Sequence, residues 1–478
     1  MSLVKQTVRG ALWTITAGMG SRAIGLVGTL VLTHFIAPAD YGEVAVAAVL
    51  VLTANQLSTV GLGQFIVSRP DAGRGAAFHA TTYHVSLGAL ALALLYLAGG
   101  RLGPAFDAPT MARYLPGLLL AAGMDRVSFV PERILVRDLR FGTVSALRTG
   151  GDLAHTAVSV SLAVLGWGAA AIVAGNVARS AVRLVVALVA VERRDWLLPC
   201  RLTLRQTREL FSFGVPIAVA ALSAFAARRW DNLLVSRFYG PGVTGMYNLA
   251  YNLADVPAIH VGEQIGDVLL PSFARLPQQR RPPALLRSLT LLSLIVFPLA
   301  VGLGAVAPTL VAVVFDARWQ PIAPMLVLLS ALSITRPVGW TIASYLQARQ
   351  RPRALMWLEL GKLLALLGLL ASVGRVNTLW ACAAVGIAYG GHAVAALLVV
   401  ERVDGVRLRR SLGTLIPALG ACVPMVVAVF VVRALAGGIL GLALEIGAGA
   451  MGYVSSALWL SPASSRDLWA RLSEALRK

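Results

Sequence analysis

Phe35-Ile-Ala-Pro38, with Gly42 four residues on, returns as Phe238-Tyr-Gly-Pro241 with Gly245 four residues on, an offset of 203. Three further pairs keep nearly that spacing. Phe106-Asp-Ala108 recurs as Phe315-Asp-Ala317 and Val191-Glu-Arg-Arg-Asp195 as Val400-Glu-Arg-Val-Asp404, both at 209, while Arg126 falls on Arg336 at 210. Four matches in one order at nearly one spacing mark an internal duplication. The repeated unit holds six apolar stretches, an even number, so both copies enter a membrane from the same side. That is a parallel repeat about an axis along the membrane normal, and substrate is expected between the halves.

Composition requires a membrane. Of 478 residues 57% are apolar and only 13% charged, about half the charged share of a soluble globular protein. So few charges cannot build a water-facing exterior. Three cysteines, Cys200, Cys382 and Cys422, in apolar settings exclude a disulfide or zinc framework.

Stretches of about 20 apolar residues are long enough to span the hydrocarbon. Fourteen are predicted, at 11–36, 44–67, 80–98, 114–130, 144–165, 169–191, 211–238, 246–270, 289–306, 322–345, 354–373, 378–400, 412–432 and 439–460. The first is too long, and too interrupted by Arg22, for a cleaved signal peptide. The expected architecture is an all-α integral membrane protein. It has an N-terminal six-helix lobe at 1–200, a C-terminal six-helix lobe at 201–404, and two more helices with an amphipathic tail at 405–478.

Basic residues test the count. With both termini in the cytoplasm, 27 of the 42 Lys+Arg fall on the inner side. Six (Arg101, Arg113, Arg318, Arg375, Arg433 and, at the outer end of its span, Arg237) fall on the outer side, and nine lie deeper within spans. The net charge of +20 is thus scattered between spans, unlike the single basic face of a nucleic-acid binder. Arg201, Arg205 and Arg208 share one helical face, and Leu468, Trp469, Leu472 and Leu476 oppose Arg466, Arg471 and Arg477. Both segments fit helices lying on anionic lipid, or plain topology anchors.

The nine intramembrane bases are expensive to bury and so point to function. Arg22, Arg126, Arg336 and the pair Arg228-Arg229 lie deep, Arg148 and Lys362 lie nearer cytoplasmic ends, and Arg179 and Arg183 share a face with Asn176. Bases from both halves facing one axis would line a cationic cavity that attracts anions. Arginine's planar fork suits diphosphate oxygens. Structural ion pairs are the alternative. Eight acids (Asp125, Asp152, Asp231, Asp255, Glu263, Asp267, Glu359 and Glu445) also sit in spans. Helical spacing offers Arg148–Asp152, Arg228–Asp231 and Glu359–Lys362 pairs. Arg22 and Arg336 have no acid three or four residues away, and Asp125 and Arg126, being adjacent, point apart.

A second polar helix carries Asn248, Asn252 and Asp255 on one face, and His260, Glu263 and Asp267 beyond Pro257. With Asp231 and Asn232, Asp255 could bind a coupling Na+ or H+, or the same groups could be hydrogen-bond glue between helices. No metal or other cofactor is expected, and no enzyme. Gly361-Lys362 fails the phosphate-loop pattern at Met356 and Leu363. No HExxH or GxSxG occurs, and the longest outer loops reach only about fifteen residues.

Arg9-Gly-Ala-Leu-Trp13, Ser21-Arg22 and Pro38-x-x-Tyr41-Gly42 resemble the opening of bacterial Wzx-type polysaccharide-transport flippases. These belong to the multidrug/oligosaccharidyl-lipid/polysaccharide exporter superfamily. Phe213-Gly-Val-Pro216, Asp231-Asn-Leu-Leu234 and Gly245-x-Tyr247-Asn-Leu-Ala-Tyr251 resemble that family's seventh and eighth helices. The resemblance implies two six-helix lobes, a central cavity and two extra helices in the bacterial inner membrane. It implies flipping of undecaprenyl-diphosphate-linked O-antigen, exopolysaccharide or capsule repeat units to the periplasmic leaflet. A polysaccharide polymerase and a chain-length regulator are the implied partners, with no nucleic acid. Lipid II flippases of the superfamily share the Ser-Arg but carry a second arginine where this chain has Gly28, which argues against a peptidoglycan precursor. The competing expectations are a cation-coupled drug exporter centred on Asp231 and Asp255, and a membrane polymerase or ligase.

Overall fold

The structure is a computed structural model. It describes residues 24–462 except 60–61, 63–65, 67–72, 139, 202, 258–268, 270–271, 274 and 350. Arg22, His260, Glu263, Asp267 and the tail arginines therefore lie outside the described residues. Helices account for the regular structure, with no strand among the described residues. The chain divides into two compact units, Met1–Gly245 and Met246–Lys478.

The first unit contains α1 (Ile24–Phe35), α2 (Pro38–Leu57), α3 (Gly73–Ala105), α4 (Leu115–Arg137), α5 (Phe141–Val164) and α6 (Ala170–Ala190), then most of α7 (Leu204–Pro257). One apolar core gathers Leu32, Ile36, Val46, Met111, Leu115 and Leu233, and a second gathers Leu62, Val130, Leu135, Trp196 and Leu210. Separate helices were expected at 211–238 and 246–270. α7 holds both, divided by a kink where Gly240 takes φ 77°, a left-handed value glycine reaches without a Cβ clash.

The two copies of the opening motif meet in this unit. Gly42 lies against the Pro241 carbonyl and the Gly245 nitrogen; Gly245 lies against the Pro38 carbonyl and the Gly42 nitrogen. The contact is reciprocal, and bare glycine backbones let the helices approach that closely.

The second unit contains the end of α7, then α8 (Arg281–Val314), α9 (Ile322–Leu332), α10 (Arg336–Ala348), α11 (Pro352–Ser372), α12 (Thr378–Asp404), α13 (Leu408–Gly413), α14 (Ile416–Leu435) and α15 (Gly438–Leu460). Phe273, Leu289, Ile342, Tyr345 and Val400 form one core, while Leu294, Phe297, Met425 and Tyr453 form another. The span expected at 322–345 is present at Ile322–Ala348, with a break inside it. A 3-10 turn, Ser333–Thr335, separates α9 from α10. Pro337 causes the break, since it has no N–H to give and its ring crowds the carbonyl four residues back. Arg336 is thereby placed at a helix start within the predicted span.

Among the described residues, eight helices are long and apolar enough to cross a membrane. The fourteen expected spans exceed that number partly because α4, α5 and α7 carry the intramembrane charges, which lower their hydropathy. Large apolar side chains such as Leu97, Val189, Leu435 and Trp459 face outward. Hydrocarbon, unlike water, imposes no penalty on that arrangement.

Candidate functional site: charged clusters within two helical units

In the first unit, Asp152 of α5 receives both Arg179 (3.2 Å) and Arg183 (3.1 Å) from α6. Gly151 opens the lane along which Arg183 lies. Asn176 accepts from Arg179 at 3.4 Å, so the predicted shared face exists. Asp125 of α4 adds a second carboxylate, hydrogen-bonded to Ser180 and within electrostatic reach of both arginines. Two acids thus balance two bases. The expected Arg148–Asp152 pair does not form. Arg148 instead grips Glu132 of α4 through Nε (3.0 Å) and a terminal nitrogen (2.6 Å), because α6 presents two guanidinia to Asp152 first.

Arg126 is 3% exposed and points away from its neighbour Asp125. Its guanidinium donates to the Asn55 carbonyl (2.5 Å) and the Ser58 hydroxyl of the α2 end, and reaches the His84 ring of α3 at 3.3 Å. All these acceptors are neutral, so the positive charge is held by dipoles rather than cancelled. Arg228 and Arg229 are half-buried on α7. Asp231 and Asn232 beside them are buried, with the carboxylate accepting from the Asn232 backbone and side chain at 2.9 and 3.0 Å.

The second unit holds a denser cluster. Arg336, which lacked an acid at helical spacing, forms an ion pair with Asp255 across helices; both side chains are under 10% exposed. Spacing along the chain could not reveal a partner 81 residues away. The guanidinium lies between the rings of Tyr251 (4.8 Å) and Tyr389 (4.7 Å), a desolvated cation–π sandwich. Tyr389 also faces Lys362 at 5.2 Å. Lys362 pairs with Glu359 at 2.5 Å, as the spacing predicted, and His392 approaches the other Glu359 oxygen at 3.5 Å. Two bases, two acids and an imidazole are thus bridged by one tyrosine. On the polar face of α7, Asn252 donates to Asn248 one turn back in the same helix at 2.8 Å, a bond that joins no second helix. Asp255 of the suggested ion site is held by Arg336, and no trio of His, Cys, Asp or Glu among the described residues is placed to hold a metal.

Tyr389 and His392 were missed from sequence. Their signal was a polar i, i+3 pair in an otherwise apolar helix. The Arg148–Glu132 pair is at an exposed position, with Arg148 48% accessible, where ion pairs contribute about 0–1 kcal/mol. Arg148→Gln is therefore expected to change stability by less than about 1 kcal/mol, read by thermal melting of the purified protein.

An all-helical fold with many apolar, membrane-length helices is what these elements define. The lipid II flippase MurJ in an inward closed conformation superposes with a TM-score of 0.76 at 13% identity, over 96% of this chain and 99% of that one. An inward-facing multidrug resistance MATE family transporter of the MOP superfamily superposes with a TM-score of 0.63 at 14% identity, over 81% and 95%. Residues 31–324 match the polysaccharide biosynthesis protein family, and the chain belongs to it. Lipopolysaccharide biosynthesis protein WzxC of Escherichia coli (strain K12) is 27% identical, over 73% of this chain and 72% of its own. Succinoglycan biosynthesis transport protein ExoT of Rhizobium meliloti (strain 1021) is 25% identical, over 77% and 74%.

Proposed function

We propose that this protein is a flippase, moving undecaprenyl-diphosphate-linked oligosaccharide repeat units from the cytoplasmic to the periplasmic leaflet of the bacterial inner membrane. The cycle is alternating access. Intramembrane bases of both repeats meet the diphosphate, the sugars travel in a polar cavity, and the lipid tail stays in the bilayer. The observation that carries this reading is Arg336, a guanidinium between two tyrosine rings within a predicted membrane span. Its fork matches phosphate oxygens, and Asp255 keeps it neutral at rest, so an arriving diphosphate would exchange for a carboxylate rather than fill an unpaired cationic hole. Polysaccharide biosynthesis and transport in the relatives' names supports the same substrate class. A drug exporter of the same fold would need acids open to a cationic cargo, whereas Asp255 is engaged by Arg336.

The test is transport itself. Proteoliposomes holding the purified protein and a fluorescent undecaprenyl-diphosphate oligosaccharide should expose inner-leaflet glycan to an added glycosidase. Liposomes without protein should protect about half. Equal protection in both would overturn the proposal, and transport of a lipophilic dye cation instead would establish the exporter.

A further inference from the structure

We propose that a crevice between the start of α8 and the α12–α13 junction binds the phosphodiester headgroup of an anionic phospholipid. The cavity, about 760 Å3, is lined by Pro282, Pro283 and Leu286 on one side, and by Asp404, Val406 and three arginines, Arg407, Arg409 and Arg410, on the other. All three arginines are exposed, and none of their side chains has an acid or hydrogen-bond partner among the described residues. The one acid in the lining is already committed. Asp404 accepts from Tyr345 Oη at 2.7 Å and from Arg349 at 2.6 and 3.1 Å. Nothing within the crevice therefore cancels its positive charge.

The wall is built rather than frayed. Gly405 closes α12 in the left-handed conformation (φ 68°), and the Glu401 carboxylate accepts the Leu408 backbone N–H at 3.1 Å. Arg281, at the head of α8, is spent on the Leu276 and Ala348 carbonyls and so straps the opposite wall.

The internal repeat sets different residues at this junction in the two halves. At the 209 offset Gly405 corresponds to Trp196, and Trp196 is 3% exposed, filling a core in the first unit. The second copy has no side chain there, and its next residues bring arginine where the first has Leu198 and Cys200. The positive-inside pattern sets this junction at the cytoplasmic surface, at headgroup depth. Basic pockets between helices at that level suit acidic lipid, with proline-lined apolar wall beside the acyl chain.

The delipidated full-length protein in uncharged detergent can be titrated with dioctanoyl-phosphatidylglycerol, dioctanoyl-phosphatidylcholine and inorganic phosphate. One phosphatidylglycerol should bind well above phosphatidylcholine. The triple variant R407Q/R409Q/R410Q should bind it roughly 100-fold more weakly, about fivefold per arginine. Its melting temperature should be unchanged, and R407K/R409K/R410K should retain most of the affinity even if the glutamine variant folds poorly. R193Q/R194Q/R201Q, in the matching segment of the first repeat, should bind like the parent protein. Equal losses in both glutamine triples would reduce the effect to general charge and overturn the site. Phosphate binding as tight as phosphatidylglycerol would put a free oxyanion there and overturn the lipid.

Discussion

Arg336→Ala is expected to abolish polymer export and also to destabilise the second unit by about 3–5 kcal/mol, because it leaves Asp255 charged, buried and alone. Asp255→Ala should cost a similar amount for the mirror reason. The double variant Arg336→Ala/Asp255→Ala should recover most of that stability, since neither charge is then stranded. It should still export no polymer. This pattern separates two roles that a single substitution confounds. A structural ion pair predicts that export returns with stability. Anion binding predicts that stability returns and export does not. Thermal melting of purified protein and surface polymer in a complemented deletion strain read the two quantities. Wild-type export from the double variant would end the substrate-binding assignment. Arg336→Lys adds a finer test: an ammonium keeps the charge but loses the planar fork and its stacking on Tyr251 and Tyr389, so folding should hold while export falls.

Gly42→Ala and Gly245→Ala should each destabilise the first unit by about 3 kcal/mol or more, the upper end of overpacking costs. A methyl at either position lands on a backbone carbonyl of the facing helix, Pro241 or Pro38. A flexible side chain could swing aside, but a helix backbone can only move as a whole. Because both substitutions strain one contact, the double variant should cost clearly less than the two single costs added. Gly447→Ala, whose new methyl would meet nothing within 4 Å, serves as the control and should be neutral or up to about 1 kcal/mol stabilising. Fluorescence-detected gel filtration after graded heating measures all four. Wild-type stability in Gly42→Ala would mean the helices are not held at this spacing.

Much of the candidate site was legible because burying charge in hydrocarbon is so costly that every intramembrane base announces itself. Arg126, Arg179, Arg183, Arg336 and Lys362 were all identifiable that way, and the Glu359–Lys362 pair followed from helical spacing. The other partners were not legible. Spacing suggested Asp152 for Arg148, yet Asp152 serves α6 and Arg148 serves Glu132. Arg336 had no visible acid, yet Asp255 holds it.

The division has a physical cause. Apolar run length, charge between runs and the duplicated Pro-x-x-x-Gly motif are properties of contiguous chain, and membrane insertion responds to them directly. They were enough to establish an all-helical membrane protein. Pairing between helices depends on rotation and depth, and a shift of one residue turns a side chain by about 100°. Only the packed structure could therefore place Tyr389 between Arg336 and Lys362, set Gly42 against Pro241, and open beside Arg407 the space that Trp196 closes in the other repeat.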